Sequence, residues 1–288
     1  MRSVFSQSFF VFALLGATVS PPRAMTHGAL DERILELSAQ IKTNGAKGEL
    51  YLQRGELHRQ HGDWELALKD FDLAENRDQK NTRINFARGR TFFAAKKFNE
   101  AKAALDKFIS VTPNLAEALA MRARISAKLG QHGAASADFT RAIKFSAVPD
   151  PDYFLQRAEA QVALGEFREA LGGLDEGMGK LGLVISFQLR AIELEMSAQN
   201  YDAALSRLDT IVAQSPRKET WLVRRGEILE KAGRIGEART SFSKARVALE
   251  ALPENRQNIP AMADLETQIH SALRRTEPTS IAQENIRK

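Results

Sequence analysis

A dipeptide of arginine followed by a small residue recurs along this chain, and its spacing limits what the chain can fold into. The copies are Arg54-Gly55, Arg88-Gly89, Arg122-Ala123, Arg157-Ala158, Arg190-Ala191 and Arg225-Gly226, at intervals of 34, 34, 35, 33 and 35 residues. Thirteen residues after each arginine, fourteen in the fifth copy, stands an alanine: Ala67, Ala101, Ala135, Ala170, Ala204 and Ala238. Four further on comes a bulky apolar residue, in Phe71, Leu105, Phe139, Leu174, Leu208 and Phe242. A fixed period of this length is the signature of stacked supersecondary units, none of which buries its apolar face alone.

Within each period the apolar residues follow helical rather than strand spacing. Gly62, Gly130, Gly165 and Gly233 divide four of the periods into two stretches, so each unit reads as helix, tight turn, helix. A large residue follows the turn at Trp64, Phe98, Phe167, Tyr201 and Ile235, with His132 the polar exception. Pro113 and Pro216 stop second helices, and Pro149 and Pro151 interrupt the chain between the third and fourth units. The fifth unit has one extra residue between its arginine and its alanine, which predicts a bulge or a looser turn around Ser197–Asn200. Small residues in both helices let the backbones approach, and the bulky residues fill the space between units.

These columns resemble the tetratricopeptide repeat family. A large residue opens the first helix, at Tyr51, Leu119, Phe154, Phe187 and Leu222 with Asn85 the departure, and a small residue follows four later. The ladder alanine, the bulky residue beyond it and a proline near the unit's end complete the pattern. The resemblance spans residues 48–252 and implies an all-α, right-handed α-solenoid of six helix-turn-helix repeats (48–81, 82–115, 116–150, 151–184, 185–218 and 219–252) whose role is to bind protein. End units of such arrays need covers. The segment 25–47 supplies one, with Leu30, Ile34, Leu37 and Ile41 on a single helical stripe. Residues 253–275 supply the other, with Pro260 in its first turn and Met262, Leu265, Ile269 and Leu273 facing inward. Residues 276–288 read as a disordered tail.

Residues 1–24 contain no acid, an early Arg2 and an apolar run from Phe9 to Val19 that is short for a bilayer span. They read as a secretory signal peptide with cleavage after Ala17 or Ala24; a retained membrane anchor and an organelle transit sequence are the alternatives. Removal of Arg2 and Arg23 leaves 39 basic against 36 acidic residues, or +3. That small, dispersed charge argues against a nucleic-acid footprint, which needs clustered cations. No other stretch is long enough to span a membrane. The chain has no cysteine, so disulfides, thiolate metal sites and cysteine nucleophiles are excluded.

Signatures of catalysis are absent: no glycine-rich phosphate loop, nucleophile elbow or paired-histidine zinc motif occurs. His58 and His61 sit three apart but lack a third ligand nearby, and Glu193 with Glu195 reads as solvated surface. No metal, cofactor or catalytic residue is therefore expected. The arginine column departs from the family, which more often places an apolar residue there. Asp70 and Asp138 stand sixteen residues after Arg54 and Arg122, so an ion pair inside the hairpin, worth about 0.5–1 kcal/mol if partly exposed, is the simplest reading.

In solenoids of this kind the first helices line a concave groove. Counting two before, two after and five after each arginine places Phe86, Arg90 and Phe93 there, with Arg83 one turn earlier and Leu52, Arg59 and Arg124 beside them. Aromatic residues and arginines together compose interface hot spots. Further along the same face carries Leu155, Val162 and Val223 with Asp152, Glu159, Glu195, Glu227 and Glu230. The expected groove is positive in its first half and negative in its second, and would orient a bound segment. The lysine–asparagine clamp by which some family members hold C-terminal carboxylates is missing. The function expected is a protein-binding adaptor or scaffold in the bacterial periplasm. An accessory or regulatory subunit of an envelope enzyme is one alternative. A carbohydrate or peptidoglycan binder is another, with only two Trp and three Tyr to serve it.

Overall fold

The computed structural model describes residues 27–43, 45–257 and 259–277. The leader expected at 1–24 and residues 278–288 of the expected tail lie outside them. The described residues form fifteen helices and no strand: α1 (His27–Thr43), α2 (Gly48–His61), α3 (Trp64–Arg77), α4 (Arg83–Ala94), α5 (Phe98–Val111), α6 (Ala116–Lys128), α7 (His132–Phe145), α8 (Pro151–Ala163), α9 (Phe167–Leu181), α10 (Ile185–Ser197), α11 (Tyr201–Gln214), α12 (Glu219–Lys231), α13 (Ile235–Glu250), α14 (Glu254–Gln257) and α15 (Pro260–Arg275). This is an all-α repeat solenoid. It comprises two compact units, one ending at Ile84 and one beginning at Asn85.

In the first unit α2 and α3 form a hairpin and α1 packs on α2 through Leu30 and Leu37, both buried. In the second unit each helix packs on the next from α5 to α13, and α15 closes the stack against α13. Met262, Leu265 and Ile269 of α15 are buried, and Leu273 packs against the same core cluster. Thr276 belongs to this fold rather than to a loose tail: it is buried, and its hydroxyl donates to the Ala272 carbonyl at 2.8 Å.

The small residues are explained by what they face. A Cβ at Gly55 would lie 2.5 Å from the Phe71 ring, one at Gly89 would lie 2.7 Å from Leu105, and one at Gly226 would collide with Phe242. The six ladder alanines are fully buried, so the second helices have no room for a larger side chain there.

Every hairpin turns through one residue of positive φ: Gly62, Lys96, Gly130, Gly165, Gln199 and Gly233. Two of the six are therefore L-residues in a conformation that favours glycine, at φ 58° and 59°. Measured from these turns the repeat is regular through the fifth unit. Helix α10 has thirteen residues, as do α6, α8 and α12, and no bulge occurs at Ser197–Asn200. The arginine is what moves: Arg190 stands one residue early on α10, and Ile192 takes the place that a small residue holds elsewhere.

Candidate partner-binding face

The arginine column is chiefly structural. Arg54 makes a two-pronged bond to Asp70 at 2.7 and 2.8 Å and a third to the Ser38 hydroxyl. Arg122 grips Asp138 in the same way and reaches Asp106 of α5 at 2.8 Å, so one side chain ties α5, α6 and α7. Asp70 and Asp138 are nearly fully buried. Hydrogen bonds to Asp138 raise the Arg122 pKa above its ordinary value, against the burial that lowers it. Arg225 instead pairs with the exposed Asp209, and Arg190 with Glu159 and Glu193.

The residues expected to line the groove divide into three groups. Leu52 is buried, as is Val223, so the position two before the arginine belongs to the core at those sites. Glu195 is buried too, with its carboxylate bonded to Asn200 at 3.0 Å and 3.7 Å from Arg207. Counting from the displaced Arg190 selected Glu195, whereas the regular frame puts half-buried Met196 at that position.

The second group is exposed or half-buried but already paired. Arg59 bonds Glu56, and Arg83 lies 3.3 Å from Glu49 in the first unit. In the second unit Glu159 holds Arg190, Glu227 holds Arg224, and Glu230 holds Arg275 at 3.0 Å. Four of the five acids expected on the negative half are thus paired from within, and Asp152 alone of them has no cation among the described residues. A cavity of about 510 Å³ among Met196, Arg224, Glu227, Glu230 and Arg275 is lined by these paired groups.

The third group remains open. Phe86 is half-buried and stacks on Phe108 with ring centroids 5.0 Å apart, and Phe93 leans on Phe98 at 5.9 Å. Both rings therefore rest on the core while staying half-buried. The Arg90 guanidinium lies 5.7 Å from the Phe86 ring, and that of Arg124 lies 5.8 Å from Tyr153 while donating to Gln156. Burial pushes the Tyr153 hydroxyl above its ordinary pKa, although the Arg124 charge opposes this. Among the described residues neither Arg90 nor Arg124 has a carboxylate partner. Leu155 and Val162 of α8 are half-buried against the next core cluster. Tyr153 and Gln156, which the arginine count skipped, meet Arg124 across α6 and α8, and Phe86, Phe93 and Tyr153 pack against one core cluster.

Other chemistry is sparse. His58 lies near Asp63 and Asp70, and His61 near Asp31 and Asp63, and no group of three or more residues suited to a metal occurs among the described residues. Trp221 is half-buried on the core. No helix among the described residues is long and apolar enough to cross a membrane.

Comparison with known proteins agrees with this architecture. The C-terminal part of a TPR repeat-containing protein from Cytophaga hutchinsonii superposes with a TM-score of 0.63 at 13% identity, over 78% of this chain and 92% of that one. YrrB, described as a TPR protein with an unusual peptide-binding site, gives 0.53 at 19% identity over 65% and 95%. PilW, a widely conserved type IV pilus biogenesis factor, gives 0.51 at 18% identity over 65% and 86%. No curated protein matches the sequence. The family model for the tetratricopeptide repeat matches residues 86–153 and 189–255. With its recurring columns, the six hairpins among its described residues and this match, the chain carries repeats of the tetratricopeptide repeat family.

Proposed function

We propose that the chain is a non-catalytic adaptor of the bacterial cell envelope that holds a polypeptide on the α4–α6–α8 face. The supporting observation is that Phe86, Phe93 and Tyr153 are half-buried on one core cluster and that Arg90 lies by Phe86 and Arg124 by Tyr153, two cations with no carboxylate partner among the described residues. Aromatic rings give large contact area at low entropic cost, and an arginine without a carboxylate gains most from a partner's carboxylate. The bound segment is accordingly acidic with apolar anchors. Tetratricopeptide repeat proteins generally serve as interaction modules, and the peptide-binding description of YrrB supports the same role here. The leader read at 1–24 and the pilus-biogenesis role of PilW support the envelope.

The test is charge reversal. Arg90→Glu with Arg124→Glu should abolish capture of the partner from the native host while leaving helicity unchanged, and undiminished capture would refute this face. An epitope-tagged chain should fractionate with periplasmic contents; retention in the cytoplasm would refute the envelope assignment.

A further inference from the structure

Two arginines of the column, Arg54 and Arg122, are met by an aspartate sixteen residues on, and Arg157 is not. Sixteen residues after Arg54 and Arg122 stand Asp70 and Asp138, but sixteen after Arg157 stands Gly173 of α9. The Arg157 guanidinium lies over that glycine: a Cβ there would sit 2.9 Å from Nη2 and 3.3 Å from Nε. Nη2 donates to the Gly173 carbonyl at 3.2 Å and to Glu176 at 2.7 Å, and Phe154 packs under the group at 5.5 Å. Nε is buried and has no hydrogen-bond partner. Arg157 is 6% exposed, so the two-pronged carboxylate of Arg54 and Arg122 is missing where desolvation makes it most valuable.

A cavity of about 500 Å³ opens at this point between α7 and α9, lined by Arg157, Lys144, Lys180, Glu176 and the apolar Ile143 and Leu181. Three cations face one carboxylate. The hydroxyls of Thr140 and Ser146 at its wall are turned to the Ser136 and Ala142 carbonyls, which leaves recognition to the cations. The site lies between second helices, away from the α4–α6–α8 face.

We propose that this cavity accepts a carboxylate of a partner polypeptide, which gives Arg157 Nε the acceptor that aspartate gives Arg54 and Arg122 in the first and third repeats. Nη2 is already held by Gly173 and Glu176, so the incoming carboxylate oxygen is the acceptor that Nε lacks. Apolar wall residues accommodate the chain that carries it, and Lys144 and Lys180 supply the surrounding positive field.

The test follows the Arg157 Nε–H resonance in ¹⁵N–¹H spectra of the full chain, identified by its loss in Arg157→Lys. The probes are acetylated tetraglutamate with an amidated C-terminus and acetylated tetra-alanine with a free one. Saturable displacement by the first assigns the site to an acidic side chain, and by the second to a C-terminus. Gly173→Asp supplies the missing acid in cis and should weaken binding at least about tenfold, or ~1.4 kcal/mol. Lys144→Glu with Lys180→Glu alters only exposed side chains and should do the same with helicity retained, while Phe93→Ala leaves binding unchanged. The proposal is overturned by no saturable shift with either peptide. An equal shift with sodium chloride at matched ionic strength, or undiminished binding in the lysine-reversal variant, also overturns it.

Discussion

Replacing Arg122 by Met should cost far more than replacing Arg225 by Met, although both occupy the same column. Arg122 donates to Asp138 through Nε and Nη2 at 2.7 and 2.8 Å and to Asp106 through Nη1 at 2.8 Å. The Asp138 side chain is 7% exposed, so Arg122→Met leaves a carboxylate buried. Breaking a buried pair on one side costs about 3–5 kcal/mol, and Arg141, 3.6 Å from Asp138, offsets part of this, which gives about 2–3 kcal/mol. Arg225 makes one bond at 2.9 Å to Asp209, whose side chain is 52% exposed, and its loss belongs in the surface range of roughly 0.2–1 kcal/mol. Arg122→Met combined with Asp138→Leu removes both charges and should return to within about 1 kcal/mol of the parent. Urea unfolding followed by far-ultraviolet circular dichroism measures all three. Equal losses in the two single variants, or a double variant worse than Arg122→Met, would refute the reasoning.

Lys96→Gly and Gln199→Gly should each stabilise the fold by about 0.5 kcal/mol, because relief of roughly 1–2 kcal/mol of left-handed strain exceeds the added entropy of the unfolded chain; no gain in urea midpoint counts against this. Gly226→Ala should destabilise by about 1–3 kcal/mol in the same assay, since the new methyl meets the Phe242 ring. Burial opposes ionisation of Asp106, but hydrogen bonds from Lys102 and Arg122 outweigh it and lower its pKa. This stabilisation is present above the ordinary value of 3.8 and is lost as pH falls through the folded-state value, so Asp106→Asn should flatten that part of the stability–pH curve.

The fold was legible because close packing leaves a periodic mark: where a glycine faces Phe71 or an alanine is wholly enclosed, few other residues fit. The turns at Lys96 and Gln199 were not, since nothing in those residue types announces a positive φ. The site was legible only in part. Phe86, Arg90, Phe93 and Arg124 are half-buried, but Leu52 fell to the core and Glu195 to a count begun from the displaced Arg190. Counting from Ala204 or Tyr201 would have put Met196 in that position. Pairing of Glu159 and Glu230 could not be read, because it depends on arginines thirty-one and forty-five residues away in sequence, whereas Arg224 stands three before Glu227 on one helix.

The most direct measurement is photocrosslinking in the native host from a benzoylphenylalanine placed at Phe93, with the same residue placed at the exposed Val111 of α5 as the control. Capture of one protein from position 93, absent from position 111 and lost on Arg90→Glu, is the expected result. Capture from position 111 alone, or equal capture from both, would contradict a partner held on the α4–α6–α8 face.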